Sequence, residues 1–171
     1  MAFNENQNVF RELADLLLQN KSIKSIALAQ NAMSDSTAAF LIEPTVRSLN
    51  IESLKLDSNS ITGVWLEKLA KRVALVGFNT LSHSGSGLKS ATSQSILATE
   101  SGDESMRLGT SPTSGNNGLI NLGLEGNEQI SDRGAEAIAN MITIKSDATR
   151  SLKMINLNQC GIGNYGFSKL K

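Results

Sequence analysis

The chain has 171 residues, 40% of them apolar and 4% aromatic, which suits one domain with an aliphatic core and points to neither a disordered nor a membrane-embedded class. Lys plus Arg and Asp plus Glu balance at 16 each, so the sequence has no basic stripe for nucleic acid and no polybasic face for a membrane. A lone cysteine, Cys160, no signal-peptide pattern at Met1–Asn6 and no run near the roughly 18 apolar residues of a membrane span lead to the expectation of a cytoplasmic protein.

In chain order, Val9, Phe10, Leu13, Leu16 and Leu17 recur at helical spacing and predict an amphipathic helix within 8–22. Ile23-x-x-Ile26-x-Leu28-x-x-Asn31-x-Met33 follows, with the alternation of a short strand at its centre. Ser36 to Val46 predicts a helix that Pro44 keeps short, ending near Glu43. Ile51-x-x-Leu54-x-Leu56-x-x-Asn59-x-Ile61 comes next, then a helix over Val64–Val73 with Trp65, Leu66, Leu69 and Val73 on one stripe. Residues 79–118 break this rhythm. About half of them are Ser, Thr or Gly, their few apolar residues show no period, and they are expected to form a flexible insertion.

Leu119-x-x-Leu122-x-Leu124-x-x-Asn127 resumes the pattern, with Ile130 displaced by one extra residue. A helix is predicted through Ala135, Ile138, Ala139 and Ile142. Leu152-x-x-Ile155-x-Leu157-x-x-Cys160-x-Ile162 closes the series. The sequence stops at Lys171, where another helix is starting, so this last unit is expected to be incomplete.

All four segments carry aliphatic residues at positions one, four and six, and Asn or Cys at position nine. This pattern resembles the leucine-rich repeat, L-x-x-L-x-L-x-x-N/C-x-L. Spacings of 28 residues from Ile23 to Ile51 and 33 from Leu119 to Leu152 leave room for a helix in each unit. Asp132-Arg133-Gly134-Ala135 and Asn164-Tyr165-Gly166 resemble the turn into the helix of the ribonuclease-inhibitor-like subtype. The resemblance implies an α/β solenoid, or horseshoe, with parallel strands on a concave face and helices on a convex one. On this reading 8–22 is an N-terminal capping helix, 23–78 holds repeats one and two, and 119–171 holds repeats three and four. Position nine lies where the chain leaves each strand. Asn31, Asn59, Asn127 and Cys160 are therefore expected to form a ladder satisfying backbone groups that the turns bury, with Cys160 structural rather than reactive.

Positions three, five and seven point to the concave face. They are Ser25, Ala27 and Ala29; Ser53, Lys55 and Asp57; Asn121, Gly123 and Glu125; Met154, Asn156 and Asn158. In the family that this chain resembles, such a face and its adjoining loops usually bind a protein, so a protein partner is the expectation, with no nucleic acid and no membrane.

No catalytic constellation is read from the sequence. The sole histidine, His83, lies in the insertion among serines, where nothing would hold a base rigidly, and one Cys with one His makes no zinc site. Ser84–Ser90 is Gly-rich but lacks the spacing and the strand–helix setting of a phosphate loop. No enzyme activity, cofactor or metal is expected. The leading expectation is thus an interaction module or scaffold, part of a longer array. The alternatives are a regulator of a small GTPase, the sensor part of a nucleotide-binding receptor, or an active site formed by an ordered insertion around His83.

Overall fold

The computed structural model describes residues 2–48, 50–82, 118–144 and 152–171. Its elements follow in order: α1 Ala2–Gln19, β1 Ser25–Ala27, α2 Asp35–Ala38, α3 Ile42–Arg47, β2 Ser53–Lys55, α4 Gly63–Ser82, β3 Asn121–Gly123, α5 Ser131–Thr143, β4 Met154–Asn156 and α6 Asn164–Lys169. A 3-10 turn joins α2 to α3 at Ala39–Leu41, and another precedes α5 at Glu128–Ile130. The architecture is α/β. Among the described residues four strands form one parallel sheet in chain order, β1-β2-β3-β4.

The register aligns position four of each segment. Ile26 lies opposite Leu54, Leu54 opposite Leu122, and Leu122 opposite Ile155. These side chains turn inward while their strand neighbours stay more open, the alternation that a sheet covered on one side requires. The same backbone bonds then carry the pairing beyond each strand. Leu28 N–H donates to Lys55 C=O at 2.8 Å, Leu56 N–H to Gly123 C=O at 2.8 Å, and Leu124 N–H to Asn156 C=O at 3.0 Å.

At the next turn the backbone is left-handed four times over. Gln30, Ser58, Gly126 and Gln159 have φ of 59°, 52°, 72° and 54°. Each directly precedes position nine, and the bend brings Met33, Ile61, Ile130 or Ile162 back toward the core. One core cluster joins Ile26, Leu54, Leu56, Leu122 and Leu124 to Trp65, Leu66 and Leu69 of α4 and to Ile138 and Met141 of α5. Helices pack in sequence order too: α1 on α3, α3 on α4, α4 on α5, α5 on α6.

Several expectations change. The first helix runs Ala2–Gln19 rather than within 8–22. It stops where Asn20 turns its amide oxygen back to accept the Ser22 and Ile23 N–H groups, both at 2.8 Å. Pro44 does not end the helix after α2. The 3-10 turn restarts the chain so that Pro44 falls in the first turn of α3, where its missing N–H would have no helical partner anyway. α4 continues through Ser82, past the expected start of the insertion at Asn79. Residues 83–117, including His83 and nearly all of that insertion, lie outside the described residues. Val9, Leu16 and Ile142, expected in apolar stripes, are 61%, 63% and 56% exposed, while Ala14, Leu17, Ala137 and Met141 take the buried positions.

Candidate functional site

Position five places Lys55, Gly123 and Asn156 side by side across β2, β3 and β4. The middle member has no side chain, so the open face of the sheet dips there. The resulting depression has a volume of about 470 Å³ and is lined by Lys55, Asp57, Asn121, Leu122, Gly123, Glu125, Met154, Ile155 and Asn156. Position three supplies its other edge, with Ser53, Asn121 and Met154 in register.

Gly123 also lets a carboxylate lie down. A Cβ there would stand 2.8 Å from Asp57 Oδ1, so any larger residue would displace the Asp57 side chain. Asp57 Oδ1 accepts the Glu125 N–H at 2.9 Å, which ties the end of β2 to the turn after β3. Glu125 Oε2 in turn accepts from Asn156 Nδ2 at 2.8 Å, and Asn156 Oδ1 accepts the Asn158 N–H at 3.1 Å. A relay of acceptor, donor and acceptor therefore crosses three strands and presents half-buried polar groups to solvent. Beside it Met154 holds an apolar side chain 58% exposed. Such a surface suits recognition by directed hydrogen bonds around a small apolar contact.

Of the twelve face residues expected from sequence, Lys55, Asp57, Asn121, Gly123, Glu125, Met154 and Asn156 come together in this depression. Ser25 and Ala27 are exposed on β1 and do not line it. Ser53 extends the row on β2, and Asn158 meets the site only through its backbone. The part played by Gly123 as the floor went unread, since a glycine in a strand carries no chemical signal of its own.

Two further depressions lie elsewhere. One of about 260 Å³ is lined by Ile138, Ile142, Leu152, Lys153, Ile155, Leu157 and Leu170, beyond the free edge of β4. Another of about 210 Å³ lies between α4 and α5, around Ala70, Lys71, Ala74 and Ala137.

Ionisable groups elsewhere act as struts. Arg72 of α4 grips Glu43 of α3 through Nε and Nη2, the latter at 3.0 Å, and this hydrogen bond holds the Glu43 carboxyl below its usual range. Arg133 of α5 grips Glu67 of α4 in the same two-pronged way, lowering Glu67 and raising Arg133. The Asp35 carboxylate accepts both the Thr62 N–H and its hydroxyl, and Asp132 accepts the Gly163 N–H. Both aspartates lie in the first turn of a helix and each reaches the following segment. Carrying the alignment past position eleven would have revealed them; the glutamate–arginine pairs have no local signal. Cys160 is buried, its thiol pushed up by burial, and its Sγ donates to Leu124 C=O at 3.1 Å.

Among the described residues no cluster of three His, Cys, Asp or Glu side chains is placed to hold a metal ion, and no helix is long and apolar enough to cross a membrane. Set against known proteins, the sequence matches no family profile and no curated protein.

Proposed function

We propose that this chain is a protein-binding module of the leucine-rich-repeat class, built as a solenoid whose concave face carries the site. The repeat reading is supported by the common register, by the left-handed residue that recurs before position nine, and by the matching hydrogen bonds of Asn59 and Asn127. The depression over Gly123 carries the functional reading. It draws side chains from three strands, mixes both signs of charge with an apolar anchor, and holds no paired nucleophile and base. The partner is a protein that presents hydrogen-bonding groups and one apolar side chain to Met154, Asn156 and Lys55. The single buried thiol fits a reducing, cytoplasmic setting.

The test is affinity capture with quantification of each bound protein. Met154→Asp and Lys55→Glu are expected to weaken capture of a specific partner at least about tenfold, while Lys71→Glu on the helical side leaves it unchanged. Equal capture by the face variants and the parent chain would overturn the assignment. Stimulated GTP hydrolysis by a small GTPase on adding the purified chain would replace it with the regulator reading.

A further inference from the structure

Among the described residues the sulfur atoms divide sharply. Met33 and Met141 lie in the core at 1% and 2% exposure and Cys160 is buried, whereas Met154 is 58% exposed. Cys160 Sγ donates to Leu124 C=O at 3.1 Å, and burial pushes its thiol up, which keeps it protonated and slow to react. Met1 and Met106 lie outside the described residues.

Met154 owes its exposure to its register position. It takes the third position of its segment, on β4, and points out of the open face of the sheet while Ile155 beside it packs against the core. Asn121, its register partner on β3, has a strand on each side and is still half-buried rather than sealed. The sulfur is thus approached across the face, whatever lies along the far edge of β4. Met154 lines the depression over Gly123, where Leu122 is sealed and Ile155 half-buried. It therefore supplies the exposed apolar surface among Lys55, Asn121 and Asn156.

We infer that Met154 is a modification site for hydrogen peroxide, and that its reversible conversion to the sulfoxide switches off binding at this face. The switch rests on the depression being the partner site. The thioether sulfur attacks one peroxide oxygen, the O–O bond breaks, and the hydroxide that leaves takes the transferred oxygen's proton to become water. Sulfur loses two electrons and peroxide gains them. The product carries a strong acceptor oxygen where the parent side chain offers an apolar contact. Lys55 and Asn121 bring N–H donors to the same depression, so the new oxygen also competes for groups that a partner would use. A thiol-dependent methionine sulfoxide reductase reverses the change: two thiols become a disulfide and the oxygen departs as water. Met33 and Met141 are sealed, so the core is spared and the switch acts on the surface alone.

Peptide mapping of the folded full chain over a time course in hydrogen peroxide tests the site. Met154 is expected to gain one oxygen at least about tenfold faster than Met33 or Met141, and to lose it on adding a sulfoxide reductase with dithiothreitol. Equal rates at the three methionines, or an unreactive Met154, would overturn the inference. The switch is read on proteins whose capture Met154→Asp weakens. The peroxide-treated chain should capture them at least about fivefold less, and the reductase should restore them. Whatever capture Met154→Leu retains should be indifferent to peroxide. Undiminished capture by chain oxidised at Met154 would overturn the switch, and so would an equal peroxide effect on Met154→Leu. If Met154→Asp weakens the capture of no protein, the partner-site reading fails and takes the switch with it, while the mapping still decides whether Met154 is the oxidised residue.

Discussion

Asn59 and Asn127 use both ends of a carboxamide. Asn127 Nδ2 donates to Leu56 C=O at 3.0 Å and Leu124 C=O at 2.8 Å, while Oδ1 accepts the Ile61 N–H at 3.1 Å. Asn59 does likewise, donating to Leu28 and Leu56 and accepting from Asn31 and Met33. Asn127 is fully buried, so Asn127→Ala would leave the Ile61 N–H without its acceptor and take one donor each from the Leu56 and Leu124 carbonyls, which keep Asn59 Nδ2 and Cys160 Sγ. A loss of about 3 kcal/mol is expected, checked by urea denaturation with an unchanged m-value. Cys160 can fill the same position because less is asked of it. The extra residue before Ile130 forms a 3-10 turn in which Ile130 N–H finds Asn127 C=O at 3.0 Å, so no side-chain acceptor is needed from the following segment. At position nine the ladder was legible for Asn59, Asn127 and the buried Cys160, whereas Asn31 is exposed and its side chain donates only to Ala29 C=O. The reason for the exchange to Cys160 was not legible, because it depends on one inserted residue in the neighbouring turn rather than on Cys160 itself.

Helices here are aligned by close approach and then clamped. Gly63, the first residue of α4, sits where a Cβ would meet Gly134 N and Ile130 O, both at 2.7 Å, so α4 and the start of α5 touch backbone to backbone. Outside this contact Arg133 clamps Glu67, as Arg72 clamps Glu43 one helix earlier. Both glutamates have folded-state pKa values below the ordinary one, with the arginine hydrogen bond as the leading cause. Depressed carboxyls stabilise the fold above the unfolded glutamate pKa, and that contribution disappears as pH falls through the folded value. Stability is therefore expected to drop on the acid side, and a Glu43→Gln, Glu67→Gln double variant to show a shallower drop, read from denaturation midpoints across an acid pH series. Raising salt should shrink the difference, since both pairs are partly exposed to solvent. The pattern of apolar residues placed α4 and α5 well. It erred on Ile142, Val9 and Leu16, because helical period marks a stripe but not its width, and each of these lies on a rim that nothing in the described structure covers.

Across the whole molecule the sheet weakens toward one side. β2 and β3 are paired on both edges, with Leu54, Leu56, Leu122 and Leu124 sealed, whereas β4 has a neighbour on one edge and a half-open core. Amide exchange should follow this gradient. Leu56 and Leu124 N–H are expected to exchange at least about a hundredfold more slowly than Leu157 and Gln159, which have no backbone acceptor among the described residues. Equal rates would mean that the edge is covered in solution. Parallel strands stacked in chain order were what the repeat resemblance implied, and the regular recurrence of position four matches their register. The depression was not legible, since it arises only when Lys55, Gly123 and Asn156 stand abreast.

The pairing of β2 with β3 has a further consequence. Leu54 meets Leu122 in the same register in which Ile26 meets Leu54, although 68 residues separate the first pair and 28 the second. Closing the longer connection costs only about 0.8 kcal/mol more in chain entropy. The junction is thus specified by the paired edges of β2 and β3, in the same register as the junction before it. A chain severed anywhere in 83–117 would still carry both halves of that junction, each with its hydrogen-bonding edge and aliphatic row. Mixing the two pieces is expected to restore the β2–β3 pairing in a concentration-dependent way, checked by titrating one piece against the other and following the amide exchange of Leu56.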